Sequence, residues 1–221
     1  MARGIERSAI FRDDADRNEF IRRLGQIATV GVFEVFAWAL MPNHFHLLLK
    51  TGLAPLSAAM RSLLTGHAIR FNRRHDRAGH VFQNRYRSIV CEEESYFLEL
   101  VRYIHLNPLR AGIVGSIAAL DTYPYAGHSA VLGIVQRRWQ RTDVVLSSFG
   151  GLNATAQKSY REFVAQGAPL GRRPELQGGG LVRSAGSWTA VHELRRAREA
   201  FTHDVPQSVA RKNPAPRPSG A

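Results

Sequence analysis

The stretch VFEVFAWALMPNHFHLLLK, residues 32–50, constrains the fold more than any other part of the chain. Residues 32–40 are β-branched and aromatic, which predicts a strand. Pro42-Asn43 is a turn signal, and residues 45–49 then predict a second, antiparallel strand. Side chains alternate between the faces of a strand, so Phe45, Leu47 and Leu49 point into a core. His44 and His46 point the other way, side by side. Two imidazoles at i and i+2 on one strand face can share a metal ion, each giving one nitrogen. The same tripeptide also suits two polar residues on a solvated face, and by itself it leaves both readings open.

Helical patterns flank this hairpin. Residues 13–31 begin with acidic side chains suited to a helix N-terminus and carry the apolar stripe Phe20, Ile21, Leu24 and Ile27. A second helix is expected over 56–75, with Met60, Leu63, Leu64, Ala68 and Phe71 on its apolar face. Residues 85–91 predict a short strand. Residues 94–107 predict a helix that ends near Asn107, because Pro108 disfavours helical geometry in the residue before it. Interleaved helices and strands around a hairpin point to an α+β layer with an antiparallel sheet. Beyond about residue 115 the pattern changes to small helical pieces at 121–133 and 143–167, a loop at 171–180 and a short basic helix at 192–201. The end is proline-rich without a packing pattern and is expected to be disordered.

The net charge is +12, and nearly all of the positive charge is arginine, lysine occurring only at Lys50, Lys158 and Lys212. Arginine forks onto phosphates and stacks on bases, which favours a nucleic-acid partner; a GC-rich genome would produce the same bias without any function. The single cysteine, Cys91, excludes a disulfide framework and a multi-cysteine zinc site. No apolar run approaches the roughly 20 residues of a membrane span, and the charged N-terminus has no signal-peptide core, so a cytoplasmic protein with no membrane partner is expected.

Two further segments carry chemistry. Residues 69–88, IRFNRRHDRAGHVFQNRYRS, place Arg70, Arg73, Arg74, Arg77, Arg85 and Arg87 among Phe71, Phe82 and Tyr86. Arginine for phosphates and aromatics for stacking are what single-stranded nucleic acid requires, although a solvated basic loop has the same composition. In residues 94–107, Tyr103 and Asn107 are four residues apart and share a helix face, next to an apolar stripe of Phe97, Val101 and Ile104. Tyr103 then sits at the edge of the packed face, where its hydroxyl can reach the polar side of the sheet. The plainer reading makes Tyr103 a packing residue and Asn107 a helix terminus.

Three ordered stretches, ALMPNHFHLLL, RFNRRHDRAGHVFQNRYRS and SYFLELVRYIHLNPLRAGIV, together resemble the REP-associated tyrosine transposases. These belong to the single-tyrosine branch of the His-hydrophobe-His (HUH) transposases and nucleases. The resemblance covers roughly residues 3–115, and SYREFVAQG and GRRPELQGGG further on resemble the extension of long members. It implies a ferredoxin-like antiparallel sheet with helices on one face and a small helical C-terminal extension. The corresponding partition is a catalytic domain at 1–115, a helical extension at 116–200 and a tail at 201–221. It also implies a divalent ion, Mg2+ or Mn2+, with His44, His46 and Asn107 as ligands and Tyr103 as nucleophile. The partner is single-stranded DNA near a hairpin from a repeated palindrome, bound through Arg70, Arg73, Arg74, Phe82, Arg85, Tyr86 and Arg87. The implied reaction is nicking and strand transfer through a covalent 5′-phosphotyrosine, as in a transposase. The oligomeric state is left open.

The chain departs from this pattern at both ends. Relatives begin with a strand before an Arg-Gly pair, which falls here at Arg3-Gly4, so a truncated first strand is expected. The far end runs into KNPAPRPSGA where long relatives continue into another helical DNA-binding segment. These departures motivate an alternative, a catalytically inactive DNA-binding remnant or repressor. A metal hydrolase that uses water is a weaker rival, because it leaves Tyr103 without a role.

Overall fold

The computed structural model describes residues 1–52, 54–88 and 94–171. The expected loop after Gly171, the basic helix at 192–201 and the disordered tail lie outside the described residues, as do the last three residues of the expected strand at 85–91.

The hairpin forms as its pattern predicts, with β2 at Phe33–Met41 and β3 at His44–Thr51, after a two-residue β1 at Ala2–Arg3. The sheet order is β1-β3-β2, antiparallel throughout. A register shift between Val35 and Ala37 places Phe33, Val35, Trp38 and Leu40 in one core and Ala37 and Ala39 in another. Without that bulge, strict alternation would send Trp38 and Leu40 to the face opposite Phe33 and Val35.

Each face is covered. Helix α1 (Asp14–Thr29) starts one residue after the expected first position: Asp13 is its N-cap, its carboxylate accepting from the Asp16 amide. With α2 (Leu56–Arg74) it packs Phe20, Ile21, Leu24, Met60, Leu63 and Phe71 against Phe45, Trp38 and Leu40. Arg74 on α2 ties the two helices, its guanidinium bonding to Asp13 and Asp16 at 2.6 and 2.7 Å. Helix α3 (Glu94–Arg110) packs Val101, Tyr103 and Ile104 with Ala37 and Ala39 on the other face. The α+β class and the antiparallel sheet are as expected, while the helices occupy both faces rather than one.

Helix α3 also runs past the expected stop. Pro108 lies inside it and cannot supply an N–H to the carbonyl of Ile104. The side-chain Nδ2 of Asn107 donates to that carbonyl instead, at 3.3 Å, and the helix continues to Arg110 before Gly112 turns at φ 69°. The polar neighbour of the proline thus repairs the break that the proline makes.

The expected strand at 85–91 is irregular where it is described. Residues 81–87 run antiparallel to the N-terminus, with Ile5 N–H donating to Val81 O, Gln83 N–H to Arg3 O and Arg87 N–H to Met1 O at 2.8–3.0 Å. Two residues on one side face four on the other between the last two bonds, so a regular ladder cannot form. β1 is short, as the sequence suggested, and it sits between this segment and the His44–Phe45 end of β3.

Among the described residues four further α-helices follow: α4 (Ile117–Asp121), α5 (His128–Val131), α6 (Thr142–Ser147) and α7 (Ala154–Gln166). They share the α3 core through Leu120, Val131, Val145, Leu146, Tyr160 and Val164. Their connecting segments cover the outer edge of β2: Leu40 N–H donates to Tyr125 O, Gly127 N–H to Trp38 O and Arg141 N–H to Val35 O. Covering that edge removes a site of unwanted strand pairing. No helix among the described residues is long and apolar enough to cross a membrane.

A buried polar chain joins α3 to this extension. The Tyr160 hydroxyl lies 2.6 Å from Nδ1 of His105 and 2.9 Å from Nδ1 of His128. Asp121 accepts from His128 Nε2 at 2.9 Å and from Arg161 Nε at 2.7 Å. All three rings are fully buried, so removing the hydroxyl leaves two imidazole nitrogens without a partner. Tyr160→Phe is expected to cost about 1–3 kcal/mol of folding stability, read from urea denaturation; an unchanged midpoint would show that the chain carries no stability.

Candidate active site

β3 and α3 build the site between them. Because His44, His46 and Leu48 alternate with Phe45, Leu47 and Leu49, the histidines lie on the α3 side of the sheet. Their ring centroids are 5.1 Å apart. The Tyr103 ring stands edge-on to His46, with centroids 5.9 Å apart. Ala37 and Ala39 on the neighbouring strand have almost no side chain, and this lets α3 approach closely enough to bring Tyr103 there. Of the two readings the histidine pair left open, a fully solvated face is not what forms: both histidines are partly covered and Tyr103 is only 6% exposed.

Burial sets the protonation of the pair. His44 is held down to about 4, by burial first and then by the charge of Arg3. His46 is pushed well below 6.5, by burial first and then by His44. Both imidazoles are neutral near pH 7, the state in which a ring nitrogen can bind a cation. Among the described residues no group of three or more His, Cys, Asp or Glu is arranged to hold a metal ion. A third protein ligand would have to be of another type, and an amide oxygen qualifies. Asn107 lies one helical turn beyond Tyr103; its Nδ2 is used on Ile104, which leaves Oδ1 as the atom suited to a cation.

Two residues that sequence reasoning passed over belong to the same place. Arg3 pairs directly with His44 across β1 and β3 and so projects from the same face. Its Nε is buried with no hydrogen-bond partner among the described residues. The guanidinium of Arg110 lies 5.7 Å over the Tyr103 ring and donates from Nη2 to Gly167 O at 3.0 Å. Arg3 could be found only through the strand register. Arg110 could have been found from its position seven residues, two helical turns, after Tyr103.

The expected DNA-contacting residues divide. Arg73, Arg85 and Arg87 are exposed. Arg70 is exposed and pairs with Glu19 at 3.0 Å. Arg74 is committed to Asp13 and Asp16. Phe82 packs its ring toward Phe45 and His67, and Tyr86 packs against the same core, so both rings are partly covered by protein. The structure brings His44, His46 and Tyr103 together, with Asn107 on the same helix as Tyr103, while the arginines lie on α2 and on the segment beside β1.

With this geometry in view, comparison with known families gives one result. Residues 1–107 match the family of IS200-like transposases. The match is just under half of the 221-residue chain and takes in β1 through α3 as far as Asn107. Both histidines and Tyr103 lie inside the matched residues, whereas α4–α7 lie beyond them. No curated protein and no solved structure matches the chain significantly.

The histidine pair gives the protein a defined pH response. Above about 6.5 His44 is neutral in both folded and unfolded chains and contributes no pH dependence. Between about 6.5 and about 4 the unfolded chain binds a proton that the folded one refuses, so stability falls as pH falls. Urea midpoints are expected to drop from pH 7 to pH 5, with a smaller drop in His44→Gln. Equal drops in both proteins would contradict the assignment.

Proposed function

We propose that this protein is a divalent-cation-dependent enzyme that nicks and rejoins single-stranded DNA, a transposase chemistry with Tyr103 as nucleophile. The observation that carries the reading is the Tyr103 ring standing edge-on to His46 beside a second neutral histidine. The family match over residues 1–107 supports the transposase class. The resemblance of the sequence motifs supports the finer reading, action near a hairpin formed by a repeated palindrome.

A divalent cation, Mg2+ or Mn2+, held by His44, His46 and the Asn107 oxygen, would stabilise the charge that develops on a phosphate during in-line displacement. The donor set fits such an ion: two neutral imidazoles and an amide leave the charge balance to the substrate phosphate. The chain's own residues do the rest. Tyr103 Oη gives up its proton to solvent as it attacks phosphorus, and the bond from phosphorus to the 3′-oxygen breaks. That oxygen takes up a proton to become a free 3′-hydroxyl, and the DNA 5′-phosphate remains on the tyrosine. The reverse attack by a 3′-hydroxyl rejoins a strand, because the phosphotyrosine conserves the ester bond. Arg110 over the ring, tied to the Gly167 carbonyl, helps hold the Tyr103 side chain in place. Arg3 beside His44 is placed to hold a phosphate oxygen. Exposed Arg73, Arg85 and Arg87, with Arg70, supply the positive surface along which a strand would run.

The test is incubation of the full chain with Mn2+ and an end-labelled hairpin-bearing single strand, followed by denaturing electrophoresis. A covalent protein–DNA adduct is expected from the parent and none from Tyr103→Phe. Arg3→Gln is expected to slow adduct formation on the order of 100-fold. Tyr103→Phe forming the adduct as well as the parent would remove Tyr103 from its role. The low exposure of Tyr103 favours a second reading, a DNA binder without catalysis. DNA binding that survives a chelator, with no adduct under any metal, would select it.

A further inference from the structure

Asn43, whose sequence signal is only that of a turn, makes two directed side-chain contacts. Its Nδ2 donates to the carbonyl of Arg7 at 3.0 Å, and its Oδ1 lies 2.7 Å from Nδ1 of His44. The Arg7 carbonyl can only accept, so the amide must turn its nitrogen toward it. The amide oxygen then faces His44, and it too can only accept. Nδ1 of His44 must therefore carry the hydrogen, which leaves Nε2 as the nitrogen with the available lone pair.

The turn that presents the Arg7 carbonyl is held on several sides. Glu6 and Arg7 adopt φ values of 50° and 60°, a left-handed conformation rare outside glycine and kept only where the surroundings enforce it. Gly4 N–H donates to Asn43 O at 2.8 Å, and Ser8 N–H donates to Ile5 O at 2.7 Å. A side chain at Gly4 would place its Cβ 2.2 Å from Ser8 O, so the close passage of the chain requires glycine there. Ile10 and Phe11 N–H groups both reach Pro42 O, at 2.8 and 3.1 Å, and lock the turn to the hairpin.

We propose that Asn43 is a positioning residue for a divalent-cation site: braced by the Arg7 carbonyl, it fixes the Nδ1–H tautomer of His44 and so presents Nε2 as the ligand nitrogen. The proposal rests on the reading of His44 and His46 as cation ligands given above. It adds a supporting hydrogen bond of the kind that orients and sharpens a ligating imidazole.

The test has two readouts on the full chain. In metal-free protein at pH 7, nitrogen-15 NMR of the histidine rings is expected to show His44 protonated at Nδ1. Calorimetric titration with Mn2+ alone is expected to show weaker binding in Asn43→Ala by about 10- to 100-fold. Asn43→Asp keeps an acceptor for His44 but sets a carboxylate oxygen against the Arg7 carbonyl. It is expected to hold Mn2+ within a few-fold of the parent while melting at a lower temperature. Protonation of His44 at Nε2 in the parent, or Mn2+ binding unchanged in Asn43→Ala, would overturn the proposal and leave the cation reading intact. A parent that takes up no Mn2+ while showing the Nδ1–H tautomer would instead remove the cation reading, and the presenting role with it.

Discussion

The packing of α3 on the Ala37–Ala39 face of the sheet is the contact on which the site depends. Two alanines in succession on that face let a helix sit close to the backbone of β2, and the adjacent strand β3 then offers His46 to Tyr103. Larger side chains at these positions would push the helix outward and separate the two halves of the site. The bulge at Phe36 serves the same end. It keeps Trp38 and Leu40 in the core formed with α1 and α2 while turning the alanines toward α3. One irregularity in one strand thus decides which helices meet which face.

The extension beyond α3 contributes to the site without touching the histidines. Its connecting segments pair along β2, and its helices share a core with α3. The chain from His105 through Tyr160 and His128 to Asp121 attaches to α3 between Tyr103 and Asn107. Arg110 adds a second tie, spanning the Tyr103 ring and the Gly167 carbonyl. A helix that holds Tyr103 in register with His44 and His46 on a separate strand gains from being fixed on both sides.

Much of this was legible in the sequence, and the exceptions have physical causes. The hairpin, both flanking helices and the common face of His44 and His46 follow from periods of 2 and 3.6, which are local properties. Whether the histidine face is solvated or covered was left open by the pattern, because covering it depends on a helix far along the chain. Pro108 was expected to end α3, and it does not, because the preceding asparagine supplies the missing donor. Phe82 and Tyr86 have the composition of a stacking surface, and tertiary packing covers part of each ring against the core. Arg74 reads as a phosphate contact and is instead claimed by Asp13 and Asp16, fifty-eight residues or more away. Arg3 and Asn43 carried no signal for a place in the site, since one matters through strand register and the other through a carbonyl across a turn.

The central claim is that His44, His46 and Tyr103 form one cation-binding, phosphate-handling cleft. Paramagnetic broadening by Mn2+ in proton NMR tests it most directly, because the effect falls steeply with distance from the ion. At low Mn2+ the ring signals of His44, His46 and Tyr103 are predicted to broaden first and together, while those of His67, buried against the other face, stay sharp. Broadening that reaches the exposed His80 first, or that spares Tyr103 while affecting the histidines, would contradict it.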